Sequence, residues 1–401
     1  MAISSRSRWT EFSKIPVDRD VIPQIALDIG AGRRTNALPW RGQFSPDFVA
    51  NLLDFFEPQG LVVDPFCGSG TTLVEASRLG LPTLGVEVNA AAYLLARVYA
   101  FAEVSQGERS KCLESMIAHT APAVLSGDSR VLRDAVLSLV EPLEQILASA
   151  VFLLALGNGH QFSPDSWQRG RQTVEAVLEG LGEGLGSVQI ELGDARRLPL
   201  EKDAADLVLT SPPYVNVFNY HQNYRSAVEL LGFDVLPPAR AEIGSNRKFR
   251  QNRFLTVVQY AQDSGLALNE ATRVLRPGGY LVWVVGRESN VRGVPILNSQ
   301  ISYDMASQVP GLVFCRRFER KFRSRYGALV FEDILVFRRL DRGGEASPED
   351  LAESGRRVGI RLLEGLEYKG GDIVSREIDE AVARAGRVAP SPLAHCDRMA
   401  K

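Results

Sequence analysis

Cysteine and histidine are scarce in this chain of 401 residues, four of each, and neither is arranged for metal or disulfide chemistry. Cys67, Cys112, Cys315 and Cys396 stand singly with no Cys-x-x-Cys spacing, and His119, His160, His221 and His395 form no ligand pair with them. That spacing argues against a structural zinc site and a disulfide framework, so no metal cofactor is expected. Long hydrophobic runs are missing as well. The longest, "ILASAVFLLAL" at 146–156, is too short to span a bilayer, and the opening "MAISSRSRWTEF" has no apolar signal core. No membrane partner is expected, and a reducing, cytoplasmic setting is the default. An excess of charge is also absent: 46 Lys and Arg face 48 Asp and Glu, so a footprint for a polyanion has to be a local patch. What remains is a globular composition, 45% hydrophobic, long enough for one elaborated domain or two.

Residues 1–43 are an Arg- and Pro-punctuated lead-in. From Phe44, "FSPDFVANLLDFF" reads as an amphipathic helix with Ser45 as N-cap, Pro46 at the first position, and Val49, Leu52, Leu53 and Phe56 on one face. "GLVVDPFCGSGTTLVEASRLG" then supplies an apolar strand ending at Asp64, a Gly-rich turn and a helix from about Thr71. "LPTLGVEVN" is a second strand with Glu87 at its end. Residues 100–186 are helical in pattern and read as an insertion, a candidate for target recognition. Strand signals resume in "VQIELGDARRLP" and "AADLVLTSPPY". A helix, a turn and a strand follow in "LNEATRVLRPGGYLVWVVG", and apolar alternation on both sides of "RYGA" suggests a final strand pair. Residues 341–401, charged, with one helical tract "REIDEAVARAG", read as an appendage.

Strands alternating with helices predict an α/β fold: a doubly wound, Rossmann-like sheet, mostly parallel with an antiparallel C-terminal pair, built from 44–99 and 187–340 and interrupted by the helical insertion. Ligands in such sheets lie at the carboxyl ends of strands, where Asp64, Glu87, Asp194 and Ser211 all fall.

In "DPFCGSGTT", Gly68 and Gly70 let a ligand approach the backbone closely, and no Lys-Ser/Thr follows to make a phosphate-binding P-loop. Glu87 is placed to accept hydrogen bonds from a ribose diol and Asp194 to accept one from an adenine amino group. Together they describe a nucleoside pocket. A second glycine-bearing stretch, "LDIGAG" at 27–32, has no helical pattern after it and reads as a loop.

This set resembles the S-adenosylmethionine-dependent amino-methyltransferases of DNA, and Ser211-Pro212-Pro213-Tyr214 is similar to the catalytic motif of their N4-cytosine branch. The resemblance covers about residues 36–99 and 188–340. It implies S-adenosylmethionine as methyl donor, held through Phe44, Asp64, Phe66, Gly68, Gly70, Thr71 and Thr72, with Glu87 on the ribose and Asp194 on the adenine. It implies double-stranded DNA as partner and a restriction-modification or defence setting with cognate proteins. A base amine has its lone pair delocalised into the ring; the Ser211 hydroxyl and a carbonyl near Pro212 would accept its protons and aim that lone pair at a methyl carbon. The prolines stiffen the frame, and Tyr214 offers a face to a base extracted from the duplex. Ser rather than Asp or Asn in first place favours cytosine over adenine. Phosphate contacts are expected from two basic clusters, Arg247, Lys248 and Arg250 in 240–254, and Arg320, Lys321 and Arg323 in 316–327. Too few residues separate Asp194 from Ser211 to hold a recognition domain, which leaves that role to the insertion, to 215–265 or to the tail. Rival readings are adenine N6 in DNA, a guanine amine in RNA, and a non-catalytic nucleic-acid-binding module.

Overall fold

The computed structural model describes residues 12–29, 35–159, 162–216, 220–245, 248–323, 327–341, 344, 346–366 and 372–394. Half of "LDIGAG", residues 30–32, and the basic residue Arg247 lie outside them. The chain forms two compact units.

One unit comprises Ala31–Asp194, Tyr220–Ala241 and Ala394–Lys401. Its strands β1 (Val62–Asp64), β2 (Thr83–Glu87) and β3 (Val188–Leu192) run parallel in the order β3-β2-β1. Helix Thr71–Arg78 crosses from β1 to β2. The connection from β2 to β3 carries the insertion as helices Gln106–Leu125, Ser129–Ser138, Pro142–Leu156 and Pro164–Gly180. "ILASAVFLLAL" falls in Pro142–Leu156, apolar on every face and buried from Ile146 to Leu153; such a helix has to be surrounded. It sits in one continuous core with Leu73, Leu94, Val188 and Ile190, so the insertion shares the core that supports the glycine loop. Arg109 knits it in. Its buried guanidinium donates to the carbonyls of Phe101, Ala102, Leu178, Leu181 and Gly182 at 2.7–3.4 Å, satisfying chain ends that otherwise lack donors. Helix Pro46–Phe56 begins at Pro46 as expected, but the Ser45 side chain makes no capping bond. Proline there dispenses with one orphan N–H, and Asp47 in the first turn meets the positive end of the helix.

The other unit comprises Met1–Gly30, Ala195–Asn219 and Glu242–Leu393. Its strands are β4 (Ala205–Thr210), β5 (Leu275–Gly286), a hairpin of β6 (Glu288–Val291) and β7 (Val294–Leu297), and the pair β8 (Leu312–Arg323) and β9 (Leu329–Arg339). β4 and β5 are parallel, while β5–β9 and β9–β8 are antiparallel, giving the order β4-β5-β9-β8. Parallel strands and crossing helices make this the expected doubly wound α/β class, with β8 and β9 as its antiparallel C-terminal pair.

The tail residues are integral to this unit. Helix Pro348–Glu364 lies on the buried helix Leu255–Val274 so closely that a Cβ at Gly355 would sit 2.5 Å from the Gln262 Cα, and one at Gly359 2.7 Å from the Val258 Cα. Beyond it, Val388–Pro392 is held as a strap. Gln262 and Gln259 donate to the Val388 and Ala389 carbonyls at 3.1 and 2.9 Å, and Arg196 donates to those of Ser391 and Pro392, both at 2.9 Å. Asp263 accepts the Ser391 N–H at 2.8 Å, its hydroxyl, and Arg196 at 2.8 Å, with both charged side chains essentially sealed from solvent. Burial raises the Asp263 carboxyl above its ordinary range, against the pull of Arg196, Lys248 and Ser391. Asp263→Ala leaves Arg196 buried without its counter-charge and is expected to cost about 3–5 kcal/mol in urea unfolding of the intact protein; an unchanged midpoint would show the cluster to be dispensable.

Candidate functional site

In the unit of β1–β3, the ends of β1 and β2 meet at the glycine turn. Asp64 closes β1 and accepts the Phe66 N–H at 3.1 Å. The chain then turns through Gly68 and Gly70, at φ 53° and 92°, the left-handed region where a side chain is strained. At Gly70 a Cβ would also lie 2.9 Å from the Tyr99 ring. Glu87 fastens this turn: one oxygen accepts the Gly68 N–H and the other that of Asn89, each at 2.8 Å. Burial pushes its carboxyl up to about 7, with Asp64 adding to the rise and the two N–H groups opposing it. The Cys67 thiol is driven well above its usual range by burial, then by Glu87 and Asp64, so it stays a neutral packing group rather than a nucleophile.

Around the turn, Thr71 donates to the Asn36 side chain at 3.0 Å, and Asn36 donates to the Phe44 carbonyl at 2.8 Å. Phe44 itself packs on Phe48 with centroids 5.4 Å apart. The Thr72 hydroxyl, in a residue 1% exposed, has no hydrogen-bond partner among the described residues. A buried orphan at the first turn of Thr71–Arg78 is what an amino-acid carboxylate would satisfy. Asp194 lies beyond β3, and one of its oxygens accepts the Ala394 N–H at 2.9 Å. Two features escaped sequence reading. Trp40 lies against Gly68, 3.4 Å from the position of an added Cβ, and stacks on Tyr220 and Tyr224 at centroid separations of 6.3 and 6.4 Å. The Ala394 contact carried no signal at all, because a backbone donor has no sequence signature.

In the other unit, β4 ends at Thr210 and the chain runs straight into Ser211-Pro212-Pro213-Tyr214. The Tyr214 phenol lies within hydrogen-bonding reach of Ser211 and donates to Glu332 of β9 at 3.0 Å. Burial and the Glu332 charge hold Tyr214 well above its ordinary pKa, so it remains a protonated donor. Its ring lies on the backbone of Gly286, where a Cβ would come within 2.6 Å of Cε2. Asn298 accepts the next backbone N–H, that of Val215, at 3.1 Å and donates to the Gly286 carbonyl at 3.0 Å. Neither Asn298, Gly286 nor Glu332 stood out in the sequence.

The basic clusters divide. Arg320 is 4% exposed and pairs with Glu332 at 2.8 Å, opposite it in the β8–β9 register. This corrects its expected placement on a phosphate-binding face: strand alternation turns Arg320 inward and Lys321 and Arg323 outward. Arg323 donates to the Gly327 carbonyl at 3.0 Å. In the first cluster Lys248 donates to the Ser391 hydroxyl, while Arg250 is exposed.

Residues 43–97 match a family model described as DNA methylase. Over that stretch the chain is similar to DNA amino-methyltransferases. It is 28% identical over 95 residues to the Type II methyltransferase M.MjaII of Methanocaldococcus jannaschii, covering 23% of this chain and 18% of that relative's length. Among solved structures, TrmN from Thermus thermophilus is similar at 15% identity and a TM-score of 0.33 over 75% of this chain and 50% of its own. A putative RNA methyltransferase from Pyrococcus horikoshii matches at 12% identity, also with a TM-score of 0.33, over 82% of this chain and 94% of its own. No inference about substrate follows from similarity that remote. The family match does not separate cytosine-N4 from adenine-N6 enzymes.

S-adenosylmethionine is the methyl donor that the resemblance implies; Gly68, Gly70 and the Thr72 hydroxyl would hold its amino-acid portion, Glu87 its diol and Asp194 its adenine. Among the described residues no group of three or more His, Cys, Asp or Glu is gathered as a metal site, and no helix is long and apolar enough to cross a membrane.

The raised Glu87 carboxyl sets a pH dependence. Because its folded value of about 7 exceeds the ordinary 4.5, its ionisation opposes folding; that stability is full below about 4.5 and lost as pH rises through about 7. Diol binding favours the ionised form. Affinity for S-adenosylmethionine is therefore expected to tighten between roughly pH 6 and pH 8 in calorimetry, and Glu87→Gln to flatten that dependence.

Proposed function

We propose that the protein methylates the N4 amine of cytosine extracted from double-stranded DNA, in the cytoplasm and within a restriction-modification or defence system. The observation that carries this reading is the Tyr214 phenol, anchored on Glu332 at 3.0 Å within reach of Ser211. The Ser211 oxygen has two lone pairs to offer an incoming amine. Drawing the amine N–H groups toward Ser211 and a proline carbonyl moves the nitrogen toward tetrahedral geometry, which its ring conjugation resists.

S-adenosylmethionine supplies an electrophilic methyl carbon on a sulfonium. Ser211 and a proline carbonyl would hold the cytosine amine with its lone pair aimed at that methyl; the amine would gain the methyl group while the sulfur keeps the bonding pair, and the proton it loses would leave to water past Ser211. Tyr214, with its hydroxyl anchored and its ring braced on Gly286, offers a fixed face for the base. No cysteine is required, consistent with the neutral Cys67 thiol.

Digesting treated duplex DNA to nucleosides tests the reading: N4-methylcytosine is the expected product. N6-methyladenine in DNA, or a methylated guanine formed only in RNA, would replace the cytosine reading by one of its rivals. Ser211→Ala is expected to lower kcat by about 100-fold with cofactor affinity unchanged. Unaltered turnover would sink the role of Ser211.

A further inference from the structure

The unit that carries Ser211–Tyr214 contains a cleft of about 510 Å³ lined by Asn216, Arg250, Gln251, Arg253, Arg292 and Glu377. Its size suits a ligand, yet no apolar side chain lines it, unlike pockets for drug-sized molecules. Three guanidiniums face a single carboxylate. The chemistry that matches is an extended, hydrated polyanion.

The walls are built rather than incidental. Asn216 follows the catalytic tetrapeptide by two positions and holds φ 60°, and Arg292 at the tip of the β6–β7 hairpin holds φ 56°. Residues other than glycine rarely adopt that region unless the surroundings enforce it. Here they do: Asn216 donates its side-chain amide to the Asn290 carbonyl at 2.7 Å, tying the segment after the motif to the hairpin. Asn290 in turn accepts the Gly293 N–H at 2.9 Å, closing the two-residue turn that presents Arg292. Arg292 is held bidentately by Glu377, at 3.1 and 2.9 Å, and the Glu377 carbonyl is fixed by Asn252 at 2.7 Å. An exposed ion pair of this kind is weak. Glu377 acts as a surrogate anion, holding Arg292 in a binding-ready pose that a phosphate can take over.

We propose that this cleft seats the phosphodiester backbone of DNA beside the target base, with Arg250, Arg253 and Arg292 as phosphate contacts and Glu377 as their built-in competitor. The proposal rests on the reading of Ser211–Tyr214 as the methylation site. It extends the expected basic footprint to a hairpin that carries no basic cluster in the sequence.

Fluorescence anisotropy of a labelled DNA duplex with the full-length protein, across a salt series, tests it without relying on turnover. Arg250→Ala with Arg253→Ala is expected to weaken binding by roughly one to two orders of magnitude near 0.1 M salt, and to reduce the slope of log K against log salt by about two. Glu377→Gln should move the other way and tighten binding several-fold, a gain that a damaged fold would not produce. S-adenosylmethionine affinity, measured in parallel, should be unchanged in each variant. If the double variant keeps wild-type affinity and slope, or Glu377→Gln weakens binding, the cleft is not the backbone site, even if methyl transfer to DNA is intact. If duplex binding depends on these arginines while no methyl is transferred, the cleft stands and the catalytic reading falls. An RNA stem-loop bound through them in preference to the duplex overturns DNA as the occupant.

Discussion

Both oxygens of the Glu87 carboxylate are occupied, one by the Gly68 N–H and the other by that of Asn89, and the shape of the glycine turn depends on that grip. A glycine turn with two residues in the left-handed region has more freedom than most backbone and would lose it on binding. One buried carboxylate removes much of that freedom in advance, by pinning the middle of the turn to the end of β2 and the start of the next helix. The arrangement has an electrostatic cost, visible in the carboxyl's rise to about 7. The same group thus preorganises the turn and makes the pocket sensitive to pH.

The tetrapeptide Ser211–Tyr214 is braced from a different direction. Tyr214 leans on Glu332, Glu332 on Arg320, and next to them Asp333 collects Arg287, Arg317 and the Ser299 hydroxyl. So much buried charge is poor evidence for stability, because desolvation offsets most of the attraction. Its value is directional: each bond has a defined geometry, and the serine at the front inherits it. A hydrophobic backing of equal volume would fill the space without orienting the phenol.

Much of this was readable from sequence where the signal was local. The Gly-rich turn, Glu87 at the end of β2, and Ser211 immediately after β4 follow from apolar runs ending in polar residues, and the helix at Pro46 from its proline. The hairpin Glu288–Leu297 was not, since its strands are four residues each and its turn is Arg-Gly rather than Asn-Gly. Arg320 misled because a run of basic residues looks like one face until strand alternation splits it, and the acid that claims Arg320 comes from the neighbouring strand. Glu332, Asn298 and Ala394 are joined to their sites only by the folded chain; they lie 118, 83 and 200 residues from their partners.

The strap at Val388–Pro392 also bears on how the protein is made. Asp263 and Ser391 are 128 residues apart, yet the buried carboxylate has most of its partners only once Ser391 arrives. During synthesis the helix Leu255–Val274 emerges well before the segment that neutralises its central acid, so that unit waits, with a charge on its inner face, until Ser391 has been made. Loop closure over that distance is slow relative to local folding. Completion of the unit is thereby timed to the arrival of the strap.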